Sequence, residues 1–554
     1  MKGKVAISPA FWLGSIYSVL GCVRLGARFA RNPNHHPMQT NTNQTTRRTF
    51  IRGTVAGAAG LVASRAFSAP LGANGDVRVA VIGFNSRGAG HIKSLEAIPG
   101  VRIVALCDVD ANVLARGVAG QAKRNNTVTA YTDYRKLMLD PEVDAVTIAT
   151  PNHTHTLIAM TAMKHGKHVY VEKPVCHNIW EGRQLLNAAE KVAKKGLVVQ
   201  HGMQRRSSPG WAEAMAWVKE GHIGKVTLSR GLNYKSRIST GKVATDVEPK
   251  DGIIKGTFHD LRNVKTDPSG APQDVDVDYK LWSGPRGMMP VHRSQFHYDW
   301  HWQWAFGNGD IGNQGPHQTD VGRWALGDPE LLPKRVMSFG GRWGYKDDGE
   351  TANNQMAFWA YEPAPLLFDN RGLPLKDMDW KLEPVYRVNG KTAAARVGNV
   401  IHCEGGYVIE AKAYDLEGKA IKKFENFNDG ADHMLNFINS VRAGKLINPN
   451  LHVSHGFHAA SLAHLANISY RLGKAVNVAE VKERLKNDAA GQETFEHFVK
   501  NLEDNKIDLN VDKISAGPWL EFDPVSEKFT GEFAEEANKL ATENYVEEFK
   551  LPEV

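Results

Sequence analysis

The chain reads as an α/β protein in which a parallel sheet is followed by a second region with strands of its own. Three observations predict this. Between Val77 and Gln200, short apolar runs alternate with stretches of helical period, the β-α-β order of a parallel sheet. The first strand leads straight into a glycine-bounded turn, Gly83-Phe84-Asn85-Ser86-Arg87-Gly88, and then into a helix. Beyond Arg323-Trp324, several strands alternate apolar and polar residues, as in a sheet with one face covered by helices.

At 554 residues the chain is long enough for two or more domains with ample core. Its formal charge of +8 misleads. Nine of the 68 Lys and Arg residues fall in residues 1–69, which hold no Asp or Glu, so the remainder carries 59 basic against 60 acidic residues. A basic surface for nucleic acid is therefore not indicated. Thr46-Arg47-Arg48-Thr49-Phe50-Ile51-Arg52 has the twin-arginine pattern. A small, weakly apolar run from Gly53 to Ala63 follows, then small residues at Ala66-Phe67-Ser68 suited to signal peptidase. The expectation is an N-terminal extension and Tat signal over 1–69 and a periplasmic or extracytoplasmic mature protein, with Met38 as an alternative start. No later segment is apolar enough to span a membrane. Four scattered cysteines without a CxxC indicate neither a disulfide framework nor a zinc site.

Val77 to Ile82 is a buried strand by its unbroken apolar run. The turn after it has the strand–turn–helix setting of a dinucleotide fingerprint, in which free N–H groups at the helix start receive a pyrophosphate. The second glycine of that fingerprint is Asn85, a residue that tolerates positive φ. The strand Val101 to Leu106 ends at Asp108, 25 residues after Gly83, where an acid binds a ribose 2′-hydroxyl. Its charge favours NAD over NADP, although NADP stays possible; the lesser alternative is an ordinary strand-end cap. Val143 to Ala149 is a further strand, leading into Thr150-Pro151-Asn152-His153-Thr154-His155 and a helix to Lys164. The strand ending in Val169-Tyr170-Val171-Glu172-Lys173-Pro174 follows. Lys173 lies at a strand's carboxyl end, where open α/β sheets bind ligands, and a lysine there can hold a substrate hydroxyl. Read alone, it is equally a solvated strand-end lysine.

The two motifs Ala149-Thr150-Pro151-Asn152-His153-Thr154-His155 and Glu172-Lys173-Pro174 resemble the Gfo/Idh/MocA oxidoreductases, a likeness extending over residues 77 to 475. The resemblance implies a Rossmann NAD(P)-binding domain over 77–200. A C-terminal α/β domain over 201–475 would follow, with a large, mostly antiparallel open sheet that faces the nicotinamide and carries homo-oligomer contacts. It also implies that Asn152 and His155 lie near the nicotinamide, and that Lys173 touches the reacting hydroxyl. Gly83, Asn85, Ser86, Arg87, Gly88, Asp108, Thr150, Glu172 and Lys173 complete the expected cofactor site. Residues 476–554 are expected to pack on these domains as a charged tail.

In the second domain, His201 to Arg206 starts the crossover, and a strand from Lys225 to Asn233 ends at Tyr234, Lys235 and Arg237, positions that suit either a ligand or a surface strand end. Residues 235–275 read as a loop or insertion. The run from His297 to Phe306 is dense in tryptophan and histidine. Flat aromatic faces suit sugar rings, while each single tryptophan reads more readily as core. His297 and His301 lack a third ligand, so no metal is expected. Gly309 to Asp320 resembles the family's second motif, with His317 at its histidine and Asn313 where relatives carry an aspartate. Pro316 places His317 in a helix's first turn, and Asp320 on the same face is expected to orient its ring.

The chemistry expected is hydride transfer between a sugar or polyol hydroxyl and a tightly held nicotinamide. Lys173 would polarise the hydroxyl and His317 would accept its proton. Arg206, Tyr234, His297, Trp300 and Asn313 are the candidates for substrate contact. Scarce free NAD outside the cytoplasm leaves a redox-neutral glycoside hydrolase or epimerase as the alternative, and a non-catalytic sugar-binding module as a third reading.

Overall fold

The computed structural model describes residues 75–554 apart from 260, 262–271, 376–384, 389–390, 395, 429 and 431. The twin-arginine segment lies outside the described residues.

The first domain runs β1 (Val77–Ile82), α1 (Arg87–Glu96), β2 (Val101–Cys107), α2 (Ala111–Ala122), β3 (Thr129–Tyr131), α3 (Tyr134–Leu137), β4 (Ala145–Ile148), α4 (Asn152–Lys164), β5 (His168–Val171), α5 (Ile179–Ala193) and β6 (Val199–His201). All pairings are parallel and the strand order is 3-2-1-4-5-6. Every residue of β1, β4 and β5 is buried, because helices cover both faces and no position is left for a solvated side chain. This doubly wound sheet opens at the carboxyl ends of β1 and β4, where the strand order reverses.

The crossover passes through α6 (Pro209–Lys219), N-capped by Ser208, to β7 (Val226–Asn233). An insertion then supplies β8 (Ile253–His259), β9 (Pro272–Asp278) and α7 (Tyr279–Ser283). The loop expected over 235–275 is thus partly a hairpin. It is stabilised by a small core of its own, which includes Ile254, Phe258, Val275, Val277, Trp282 and Phe296. Helices α8 (Gly309–Asn313) and α9 (Gly315–Ala325) follow, then β10 (Arg335–Gly341), β11 (Asn354–Trp359), β12 (Leu366–Arg371), β13 (Val385–Val388) and β14 (Lys391–Ala394). Next come β15 (Val397–Cys403), β16 (Gly406–Ile409), β17 (Lys412–Asp415), β18 (Ala420–Lys423), α10 (His433–Ala443), α11 (Val453–Arg471) and β19 (Lys474–Val476). The chain ends with α12 (Val478–Arg484), α13 (Ala489–Asp504), β20 (Ile514–Ala516), β21 (Leu520–Asp523), β22 (Lys528–Thr530) and α14 (Ala534–Leu540).

These build a twelve-stranded sheet in the order 18-17-16-15-7-12-11-10-20-19, with β21 and β22 attached at β10. It is antiparallel except where β7 meets β12. One face receives α9 and α11. The α9 helix approaches so closely that a Cβ on Gly231 would lie 2.8 Å from the Gln318 Cβ. The other face, expected to be open for assembly, is covered over β10, β11 and β12 by the chain's own α12 and α13. Phe495, Phe498 and Leu502 pack there against Phe339, Met356 and Phe358, with Phe339 and Phe495 edge to face at 5.2 Å. The 476–554 segment is therefore built into this sheet, to which it supplies three strands and a cover.

Candidate active site

A cavity of about 590 Å³ lies between the first domain and the insertion. One end is formed by the β1–α1 turn. Gly83 has φ of +74°, and a Cβ there would lie 2.8 Å from Thr150 Cγ2. A Cβ on Gly88 would lie 2.0 Å from the Gly83 carbonyl oxygen, so only glycine permits this packing of helix on strand. Asn85 is not among the positive-φ residues, which corrects the expected reason for its tolerance. Its exposed side chain instead accepts a hydrogen bond from Arg116 at 3.2 Å. No side chain caps α1 at Ser86, so the first-turn N–H groups keep the anion-binding character of a helix start.

Asp108 lines the same cavity and accepts from the amides of Phe84 and Asp110, each at 3.1 Å. Burial raises its carboxyl above the ordinary value against the pull of those amides. The fit to a dinucleotide rests on this carboxylate facing the cavity beside an uncapped helix start.

At the end of β5, Glu172 is fully enclosed. Its Oε1 takes Arg87 Nε at 2.7 Å, His91 Nε2 at 3.0 Å and Gln204 Nε2 at 3.2 Å. Burial alone would raise this carboxyl, but the His91 and Arg87 contacts outweigh it and hold it well below the usual range. Glu172 thereby fixes the α1 start to the β5 end. His91 was not anticipated from the sequence; its signal is the four-residue spacing from Arg87 on one helical face.

Lys173 Nζ donates to the carbonyl oxygen of Asn313 at 2.7 Å and to its Oδ1 at 3.1 Å. Its ammonium is pushed down to about 8, first by burial and then by Arg87, Arg237 and Lys235, against the opposing pull of Glu172. His317, in the first turn of α9, lines the same cavity. Burial first, and then Lys173 and Arg205, hold its imidazole well below the ordinary value. Among the described residues no side chain orients this ring. The expected partner, Asp320, is taken by Arg206, whose Nε and Nη2 reach its two oxygens at 2.8 to 3.1 Å.

Around this pair, His155 lies between two backbone carbonyls, with Nδ1 2.6 Å from Pro174 O and Nε2 2.7 Å from Thr150 O, and the neutral ring donates to one of them. Asn152 donates to Asn308 at 3.2 Å. His155 thereby braces the ends of β4 and β5, and Asn152 ties the start of α4 to the segment before α8.

Two substrate-contact expectations, Arg206 and Tyr234, are corrected. Arg206 is buried away from the cavity, bridging Asp320 and Asp328 to tie the crossover to α9. The Tyr234 hydroxyl donates to Asp369 at 2.7 Å, which holds the ring on the sheet. His297 lines the cavity at the opposite end from Lys173, with Nε2 2.8 Å from Asp110. Trp300 and Asn313 do line it. Trp300 stacks on His301 with ring centroids 3.7 Å apart. His301 lines the Lys173 end, its imidazole pushed down to about 3 by burial, with Lys173 and Arg237 adding to the effect. In the sequence its spacing from His297 suggests a pair, but His301 sits in the short helical turn Asp299–Trp302 and the two face different ends of the cavity. The described residues hold no cluster suited to a metal.

Residues 77–201 match the family described as "Oxidoreductase family, NAD-binding Rossmann fold" (GFO_IDH_MocA). This segment is an NAD-binding Rossmann domain similar to that of the Gfo/Idh/MocA oxidoreductases. Curated relatives of that domain include scyllo-inositol 2-dehydrogenase (NAD(+)) of Bacillus subtilis. It is 34% identical over 158 residues, 28% of this chain and 44% of that protein. Inositol 2-dehydrogenase 1 of Saccharopolyspora erythraea is 33% identical over 162 residues, 29% of this chain and 47% of that one. A glycosyl hydrolase family 109 protein of a Shewanella species is 35% identical over 130 residues, 23% of this chain and 28% of that one. The chain spans less than half the length of these relatives. The insertion, the twelve-stranded sheet and the terminal segment all lie beyond the matched Gfo/Idh/MocA domain.

Proposed function

We propose that the protein is an exported NAD-dependent oxidoreductase that moves a hydride between a sugar or polyol hydroxyl and a retained nicotinamide. The observation that carries this reading is that one cavity is lined both by Gly83 to Arg87 of the β1–α1 turn with Asp108 and by Lys173, Asn313 and His317. Gly83, Ser86, Arg87 and Gly88 would hold the diphosphate and Asp108 the ribose; a bound nicotinamide supplies the hydride acceptor. The chain's own work is to place and charge the reacting group. Lys173, as the ammonium, donates to the substrate hydroxyl in place of Asn313 and stabilises the oxygen as it loses its proton. Neutral His317, unhindered by a protein partner, receives that proton. Asn313 cannot act as a base; until the hydroxyl arrives, its two oxygens hold Lys173 in position.

Retention is supported by the insertion, which pairs with the first domain at the Asp108 end. Asp278 N donates to the Val109 carbonyl at 2.9 Å, Asp110 bridges to Val277, and His297 meets Asp110. The Arg47-Arg48 motif supports export by the Tat route, which accepts folded proteins. A second reading keeps the same first step but is redox-neutral overall, a glycoside hydrolase or epimerase acting through a transient ketone. The similarity to a glycosyl hydrolase family 109 protein favours it.

The test is to purify the protein natively, denature it and identify released nucleotide by mass. Stoichiometric NAD is the expected result, and adding sugar to the loaded protein then separates NADH accumulation from aglycone release without it. A protein that is empty and does not bind NAD refutes the proposal.

A further inference from the structure

The Lys173 end of the cavity carries more positive charge than hydride transfer from a neutral sugar uses. Five charged side chains line it: Arg87, Lys173, Lys235, Arg237 and Glu172. Glu172 is consumed by Arg87 and His91. Arg237 is consumed by Asp310, whose oxygens meet Nε and Nη2 at 2.6 to 3.2 Å. Lys173 has only the neutral oxygens of Asn313. Lys235 stands exposed on the rim; the carboxylate that acts on it, Asp310, is already ion-paired to Arg237, and burial, Arg237 and Arg396 lower its ammonium. The backbone around it is fixed on both sides, by Tyr234 N to the Arg396 carbonyl and Arg237 N to the Gly372 carbonyl, each 2.8 Å. Lys235 is therefore presented by the end of β7 at a set place. Two ammonium groups face one pocket, near enough that Lys235 contributes to depressing Lys173.

Resting on the oxidoreductase reading above, we propose that the substrate is an acidic sugar, and that Lys235 binds its carboxylate or sulfate while Lys173 holds the reacting hydroxyl. The two cations divide the work: the buried one acts on the chemistry, and the exposed one selects the substrate and sets its orientation. A neutral sugar leaves the Lys235 charge unmatched. The dinucleotide diphosphate belongs at the Gly83–Gly88 turn, which is served by Arg87 and the α1 start.

The experiment measures binding on the full mature chain saturated with NAD, by calorimetry, using glucose, glucuronate and glucose 6-sulfate, with the Lys235→Gln variant beside the wild type. At low ionic strength at least one acidic sugar should bind about tenfold tighter than glucose. The preference should shrink in raised salt, as an exposed ion pair does, and vanish in Lys235→Gln, while glucose binding stays unchanged. The arm that shows the gain tells carboxylate from sulfate. Equal binding of glucose and both acids overturns the proposal. So does a preference that survives Lys235→Gln, or no binding by any of the three. NAD affinity is measured first in both proteins. A loss confined to Lys235→Gln reassigns the lysine to the cofactor and also overturns the proposal. A wild type without NAD affinity defeats the oxidoreductase reading instead, and the acidic-sugar preference is then scored separately on the nucleotide-free chain.

Discussion

Lys173 is the residue whose charge state the surroundings set most usefully. With its ammonium near pH 8, it is charged at neutrality and loses its proton within the range where enzymes are easily assayed. If the ammonium is the working form, the rate of hydride transfer to bound NAD falls as pH rises through about 8. No acidic limb should appear near the ordinary histidine value, because His317 stays neutral well below it. A rate that instead climbs through pH 8 would make neutral Lys173 the proton acceptor and reduce His317 to a hydrogen-bonding role. Lys173→Met should cost roughly 10²–10⁴-fold in the hydride step while leaving nucleotide content intact. Arg206 shows the opposite kind of importance. Removing it as Arg206→Ala leaves the buried Asp320 without its ion-pair partner, while Asp328 keeps Arg323 at 2.9 Å, a loss on the order of 3–5 kcal/mol. The melting temperature should drop sharply, with NAD affinity of the remaining folded protein unchanged. The sequence did not separate these two roles, since Arg206 and its acids lie more than a hundred residues apart and only folding joins them.

Elements differed in how far they could be read. The strands β1, β4 and β5 were legible because burial on both faces demands an unbroken apolar run, and the glycine-bounded turn between β1 and α1 has few alternatives. The β8–β9 hairpin was not. Its composition is that of a loop, and its stability comes from Trp282, Phe296 and other aromatics that arrive later in the chain. That hairpin is also the element with the clearest mechanical role, since β9 and His297 close over the Asp108 end. The His297 contact is a hydrogen bond to a buried carboxylate, a class contributing roughly 1.5–3 kcal/mol. His297→Ala should therefore speed nucleotide release about tenfold or more, measured as loss of bound NAD during dilution. Unchanged release would mean that the Asp278–Val109 and Val277–Asp110 backbone pairing holds the cover without it.

For the whole molecule, the terminal segment and the buried histidines matter most. Residues 476–554 read as a charged tail because their apolar positions, Phe495, Phe498 and Leu502, are spaced along one side of an otherwise polar helix. That side covers the sheet which was expected to meet a second copy. Histidines are enclosed throughout the fold. Burial pushes His168 and His433 down to about 4, and His402, His458 and His464 to about 3. The unfolded chain protonates each of them near 6.5, whereas the folded chain does not. Below 6.5 the unfolded state thus binds more protons, and stability falls with pH until the folded values are reached. At pH 5 each such histidine costs about 2 kcal/mol in the limit of full burial. The carboxyls of Asp108, Glu181 and Asp320 are raised and act in the opposite sense, but the lowered histidines outnumber them. The melting temperature should therefore decline steadily from about pH 6.5 to pH 4, earlier than carboxylate protonation alone would bring. A melting temperature that holds flat to pH 5 would show that these rings keep proton-accepting contacts, or access to water, in the folded state.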